Sequence, residues 1–223
     1  MAINKKALLL QLTHMYKVKG GKALIIHLFK EFNHIIINRY FRGSFSQRGE
    51  DLILSKYFKH KRVGFYVDIG AYHPQRLSNT KFFYDKGWHG VNIEPSPSRI
   101  KLFLKDRPRD INLNIGIGGT TKEALFYEFE SGALSTFSKE EADSLLQVGY
   151  KIRRKIKLQM HRLKEIMNKY ARLRIDFMTV DAEGLDIEVL RSNNWSKYRP
   201  ELLCIETKDF KDFIDQLINH EKE

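Results

Sequence analysis

The chain has one cysteine, Cys204, so no disulfide can close within it and no cysteine-rich zinc site can form. A lone thiol in the apolar run LLCI reads as a buried strand residue in a reducing compartment, and a cytoplasmic location is expected. Long hydrophobic runs are also missing. The longest span only a few residues, Ala7–Leu10 and Ala23–Ile26 among them, far short of the roughly 20 residues a membrane-spanning helix needs. No secretory signal is expected either, because Lys5 and Lys6 precede no long apolar stretch. A third scarcity is acid in two segments. Residues 1–48 hold nine basic residues and one acid, and residues 151–174 hold ten and one, within a chain of net charge +12. The remainder is therefore −5, so the basic character belongs to two elements and points to a localised membrane face or polyanionic partner.

The chain has 223 residues, 42% hydrophobic and 30% charged, enough for one domain with a sizeable core and an appendage. Residues 1–44 are expected to form a helical extension, with two segments split by Gly20-Gly21. Leu24, Ile25, Leu28, Phe32, Ile35 and Ile36 recur at helical spacing there, which suits peripheral contact with anionic lipid or a homodimer face. Residues 45–223 then read as an α/β domain with a doubly wound, mostly parallel, Rossmann-like sheet. Ser46 is expected to cap a helix over 51–58. Strands are expected near 65–68, 90–97, 111–119, 124–129, 155–160, 175–180 and 201–207. Helices are expected near 78–84, 97–105, 138–146, 163–170 and 185–195, with an amphipathic helix at the tail.

The stretch FYVDIGAYHP, 65–74, organises the domain. Asp68 closes a short apolar strand, and Gly70 lets the turn after it approach a ligand closely. Glu94 ends the next strand, 26 residues on, where one carboxylate can accept from two vicinal ribose hydroxyls. A dinucleotide turn wants G-x-G-x-x-G, and here only the first glycine is present, while Pro74 has no N–H to offer a phosphate. The turn suits a ligand with an adenosine and no phosphate chain. S-adenosylmethionine is one, and its cationic groups would favour an acidic strand end such as Asp68.

Several motifs in this order resemble the FkbM family of S-adenosylmethionine-dependent methyltransferases, with the class I fold. They are Ser46-Gln47 with Gly49-Glu50-Asp51, the run Tyr66 to Ala71 with Pro74, Ser78-Asn79-Thr80, Gly87-Trp88-His89-Gly90 leading into Ile93-Glu94-Pro95, and Asp181-Ala182-Glu183-Gly184 with Glu188-Val189-Leu190. The resemblance spans about residues 45–207. It implies methyl transfer to a hydroxyl of a sugar, glycan or other small molecule. It implies that Asp68, Gly70 and Ala71 line the methionine side of the cofactor, and that Glu94 holds the ribose with Pro95 shaping the turn. Asn114 and Gly116 would fall near the adenine, Ser78 and Asn79 near the cofactor carboxylate, and Gln47 over it. Asp181 and Glu183 would face the transferred methyl. The family's full sheet has two strands beyond the one expected near Thr207, so a reduced sheet, a truncated chain or completion by another chain is expected.

A neutral hydroxyl acceptor needs a base within hydrogen-bond reach. Asp181 and Glu183 are preferred, then His73, with Glu206 a further candidate. Asp181, Glu183 and Asp186 fit no specific metal-ligand spacing, and no metal is expected. Tyr72, Phe83, Tyr84 and Trp88 could pack on a sugar or adenine, although Trp88 reads better as core. Nucleic acid is disfavoured as a partner, because no Asn/Asp-Pro-Pro-aromatic motif and no suitably placed cysteine appears. A non-catalytic binding module on the same fold remains the alternative.

Overall fold

The computed structural model describes residues 43–171 and 174–205. The 1–44 extension with its amphipathic helices, Glu206 and the tail helix lie outside the described residues, apart from Gly43 and Ser44. Chain order is α1 (Glu50–Tyr57), β1 (Phe65–Ile69), α2 (Lys81–Asp85), β2 (His89–Ile93), α3 (Pro97–Asp106), β3 (Ile111–Leu113), β4 (Gly116–Ile117), β5 (Lys122–Phe129), α4 (Lys139–Gln147), β6 (Ile152–His161), α5 (Leu163–Tyr170), β7 (Phe177–Val180), α6 (Asp186–Arg191) and β8 (Leu202–Ile205). No described helix is long and apolar enough to cross a membrane.

Among the described residues, five parallel strands form the main sheet in the order β3-β2-β1-β7-β8. The order reverses between β1 and β7, so the crevice of a doubly wound sheet opens at the carboxyl ends of those two strands. β1 and β7 are buried along their whole lengths, as their apolar runs require when both faces are covered. One face packs into a cluster that includes Val67, Val91, Ile93, Leu163, Met178 and Val189. The other packs an aromatic cluster of Phe58, Tyr66, Phe83, Trp88 and Phe177. Trp88 is core, with Phe83 4.8 Å away, centroid to centroid.

A smaller sheet, β4-β6-β5, interrupts the chain between β3 and β7. The expected strand over 111–119 is therefore two strands in two sheets. After pairing with β2 the chain leaves the main sheet at Asn114, and Gly116-Ile117 pair with Met160-His161 instead. The basic segment is largely β6, antiparallel to β5, with Arg153, Arg154, Lys155 and Lys157 exposed and Lys157 paired to Glu123 at 3.2 Å.

Local chemistry sets several boundaries. Ser46 is not the N-cap of α1. Gly49 holds that place at φ 94°, and the Ser46 hydroxyl oxygen accepts from the Gly49 and Asp51 N–H groups from further back. Ser138 does cap α4, accepting from Glu141 N–H at 3.2 Å. Cys204 is only partly buried, because β8 is the last described strand of the sheet and its faces are less covered than those of β7.

Phe83 is 2% exposed and stacked among Trp88 and Phe177. Phe83→Ala is expected to lower unfolding free energy by about 3–5 kcal/mol, read from the urea midpoint at unchanged slope.

Candidate active site

A cleft of about 1130 Å³ opens over the carboxyl ends of β1, β2 and β7. Its walls bring together Gln47, Asp68, Gly70, Ala71, Asn79, Glu94, Pro95, Asp181 and Glu183, all expected from the sequence. His73, Ser78, Asn114 and Gly116 lie off its lining.

The β1 and β7 loops meet at the reversal point. Gly70 has φ +77°, and a Cβ there would lie 1.8 Å from the Asp181 carbonyl oxygen. Asp181 N–H in turn donates to Ile69 O at 3.0 Å. Glycine is required on both counts. The turn's own N–H groups are already spent. Gly70 and Ala71 both donate to Ile93 O, Tyr72 donates to Glu94 Oε2 at 2.9 Å, His73 to Ala71 O, and Gln75 to His73 Nδ1, while Pro74 has no N–H. Among the described residues, the turn over 70–75 therefore presents no run of unspent amides to cradle a phosphate.

Glu94 is 2% exposed, one of the charged groups most withdrawn from water. Burial pushes its carboxyl up to about 7, against Arg99 at 3.6 Å and the N–H groups of Ser96 and Tyr72, which favour the charged form. Each oxygen accepts one backbone bond, so each keeps a lone pair for a further donor. Asp68 is pushed up to about 6 by burial, opposed by the Thr80 hydroxyl at 2.8 Å and by Arg107. Arg99 also lies over the Tyr72 ring at 4.7 Å and borders the cleft at Gly132.

Glu183 sits at φ 46° in the loop after β7, an uncommon conformation for a side chain with a Cβ. Its carbonyl accepts the Thr136 hydroxyl at 2.7 Å, and Ala182 N–H donates to Asp186 Oδ1. These bonds present Asp181 and Glu183 on a loop braced from both sides.

The residues off the lining have other places. Asn114 donates its amide to the carbonyls of Glu94 and Pro95, holding that turn from behind. Gly116 packs where a Cβ would lie 2.6 Å from the Phe137 ring. Ser78 is buried, within reach of Arg107 and Thr80. His73 lies outside the cleft with its imidazole lowered to about 4 by burial and by the Arg76 charge, which suits neither proton uptake near neutrality nor contact with an acceptor. Sequence reasoning assigned no role to Arg99, Arg107, Thr136 or Arg191. Nothing in the run RPRD marks Arg107 as buried.

The methyltransferase FkbM domain model matches residues 68–222. The chain belongs to this family. The crystal structure of methyltransferase FkbM from Methylobacillus flagellatus KT is similar to it at 14% identity, over 71% of this chain and 36% of that one, with a TM-score of 0.43. The chain thus spans little more than a third of that protein's length. No curated protein matches the chain.

Gly70→Ala is expected to lower stability by about 1–3 kcal/mol through its left-handed backbone and the Asp181 contact. Chemical denaturation beside Gly43→Ala, where a Cβ meets nothing within 4 Å, separates the contact from the backbone effect. The His73 imidazole is expected to stay neutral down to about pH 4 in an NMR titration. An ordinary midpoint near 6.5 would contradict its placement.

Proposed function

We propose that the chain is an S-adenosylmethionine-dependent methyltransferase that methylates a hydroxyl of a small molecule, sugar or glycan. One observation carries the choice of cofactor within the family: the β1 turn offers acidic and carbonyl acceptors and no unspent amides. That is the wrong surface for a pyrophosphate and a suitable one for an ammonium and a sulfonium. Glu94, with one lone pair left on each oxygen, suits a pair of ribose hydroxyls. Asp68, beside the Gly70 turn, suits the cationic amino-acid end. Asn79 is held by a 2.9 Å bond from its amide to Thr179 and borders the same end.

When bound, the cofactor supplies a methyl on a cationic sulfur, displaced in line by the acceptor oxygen. The chain's part is alignment and proton removal. Asp181 and Glu183, on the braced loop, are the proposed proton acceptors. The opposite wall, from Phe126, Phe137, Leu145, Val148 and Tyr150, would seat the acceptor's apolar parts.

Both carboxyls that would meet the cofactor are raised, so each must lose a proton to serve as an anion. Affinity for S-adenosylmethionine is therefore expected to climb through about pH 6–7 and level off above about pH 8. Calorimetric titration with S-adenosylmethionine and with NADH, on wild type and Glu94→Ala, tests the reading. Micromolar binding of the first only, lost in the variant, supports it. Binding of NADH, or of neither, overturns it. Transfer of labelled methyl onto hydroxyl acceptors then separates an enzyme from a binding module.

A further inference from the structure

Ser78 and Thr80 stand outside the cleft, yet both connect to a carboxylate that lines it. Arg107 is completely buried. Its Nη2 donates to Ser78 Oγ at 3.2 Å and its Nη1 to Thr80 Oγ1 at 3.3 Å. Lys81 N–H also donates to Ser78 Oγ at 3.2 Å. The two hydroxyl oxygens are 3.3 Å apart, and Thr80 donates to Asp68 Oδ2 at 2.8 Å. A guanidinium and a backbone N–H can only donate, and each hydroxyl has a single proton. Ser78 therefore accepts twice and turns its proton to Thr80. Thr80 accepts from Arg107 and Ser78 and turns its own proton to Asp68. Every bond points the same way.

We propose that Ser78 and Thr80 are positioning residues, a one-way hydrogen-bond chain from Arg107 that fixes Asp68 Oδ2 as an acceptor and leaves Oδ1 to meet a cationic ligand group in the cleft. The inference rests on the cofactor reading above and gives the Ser78-Asn79-Thr80 segment two tasks. Asn79 faces the cleft, and its neighbours face inward. The chain also favours the charged form of Asp68 in a place where burial opposes it. Of the charged groups around Asp68, Arg107 works in the same direction, and Asp110 and Glu94 work against it. Asp181 borders the same cleft from the β7 side.

The test uses Thr80→Val, which keeps shape and deletes the donor, and Thr80→Ser, which keeps it. Carboxyl NMR of the ligand-free protein follows the Asp68 titration, and calorimetry follows S-adenosylmethionine affinity against pH. Thr80→Val is expected to raise the Asp68 midpoint by about one unit and to weaken binding about threefold near pH 6.5, growing toward about tenfold below about pH 5. That deficit should close as pH approaches about 8.5, where Asp68 ionises in both proteins. Thr80→Ser should follow wild type. Glu94 titrates in every variant and cancels in the ratio of affinities. An unmoved Asp68 midpoint in Thr80→Val overturns the proposal, as does a binding deficit equal at every pH. If Thr80→Val does not fold, Ser78→Ala removes one donor from the chain, and a smaller rise of the same midpoint is expected, with no rise overturning the proposal. The NMR titration needs no ligand. A raised midpoint in a protein whose wild type binds no S-adenosylmethionine would therefore keep the chain and reject the cofactor reading.

Discussion

A guanidinium with no exposure to water must have its N–H groups answered inside the protein, and Arg107 meets that demand by drawing five parts of the fold together. It donates to the Pro74 carbonyl through two nitrogens, to Ser78, to Thr80 and to the Tyr66 hydroxyl, and it lies 3.7 Å from Asp110. Asp110 is shared further, accepting from Tyr66, from Gly90 N–H and from the Asn92 amide. The end of the β1 turn, the approach to α2 and the hydrogen bonding beneath β1 and β2 thus depend on one buried charge pair. A buried pair of this kind adds little net stability, but losing one partner strands the other. Its value here lies in fixing the one arrangement in which the acidic strand ends stand beside each other.

That arrangement sits where the strand order reverses. Gly70 and the Asp181 carbonyl touch across the reversal, so the two loops that hold the acids cannot move apart independently. The raised carboxyls of Asp68 and Glu94 follow first from burial, and to a lesser degree from a nearby acid, Asp110 for the one and Asp68 for the other. A cationic ligand would relieve both.

The main sheet was legible because its strands are apolar runs ending in acids, and Asp68, Glu94 and Asp181 stand at strand ends or just beyond. Departures arose where tertiary contact overruled local pattern. The run INLNIGIGG reads as one strand, but Asn114 turns its amide back onto the Glu94–Pro95 carbonyls, and the next residues join another sheet. Ser78 looks like a ligand contact beside Asn79, and a single residue's difference in direction puts it in the interior instead. Arg107 and Thr136 were invisible for a plainer reason. Apart from Asp110, three residues on, the polar side-chain and carbonyl partners of the Arg107 guanidinium lie more than twenty residues away, as does the Glu183 carbonyl that Thr136 meets, and no local spacing encodes those.

The smaller sheet occupies one continuous stretch of chain, entering after β3 and returning through α5 to β7. The cleft acids Asp68, Glu94 and Asp181 come from outside that stretch, whereas Phe126, Phe137 and Tyr150, which also line the cleft, come from inside it. The two are joined at points such as the Thr136 hydroxyl on the Glu183 carbonyl. A cassette so delimited can be exchanged in a single cut and splice, changing one wall of the cleft while the acidic wall is inherited whole.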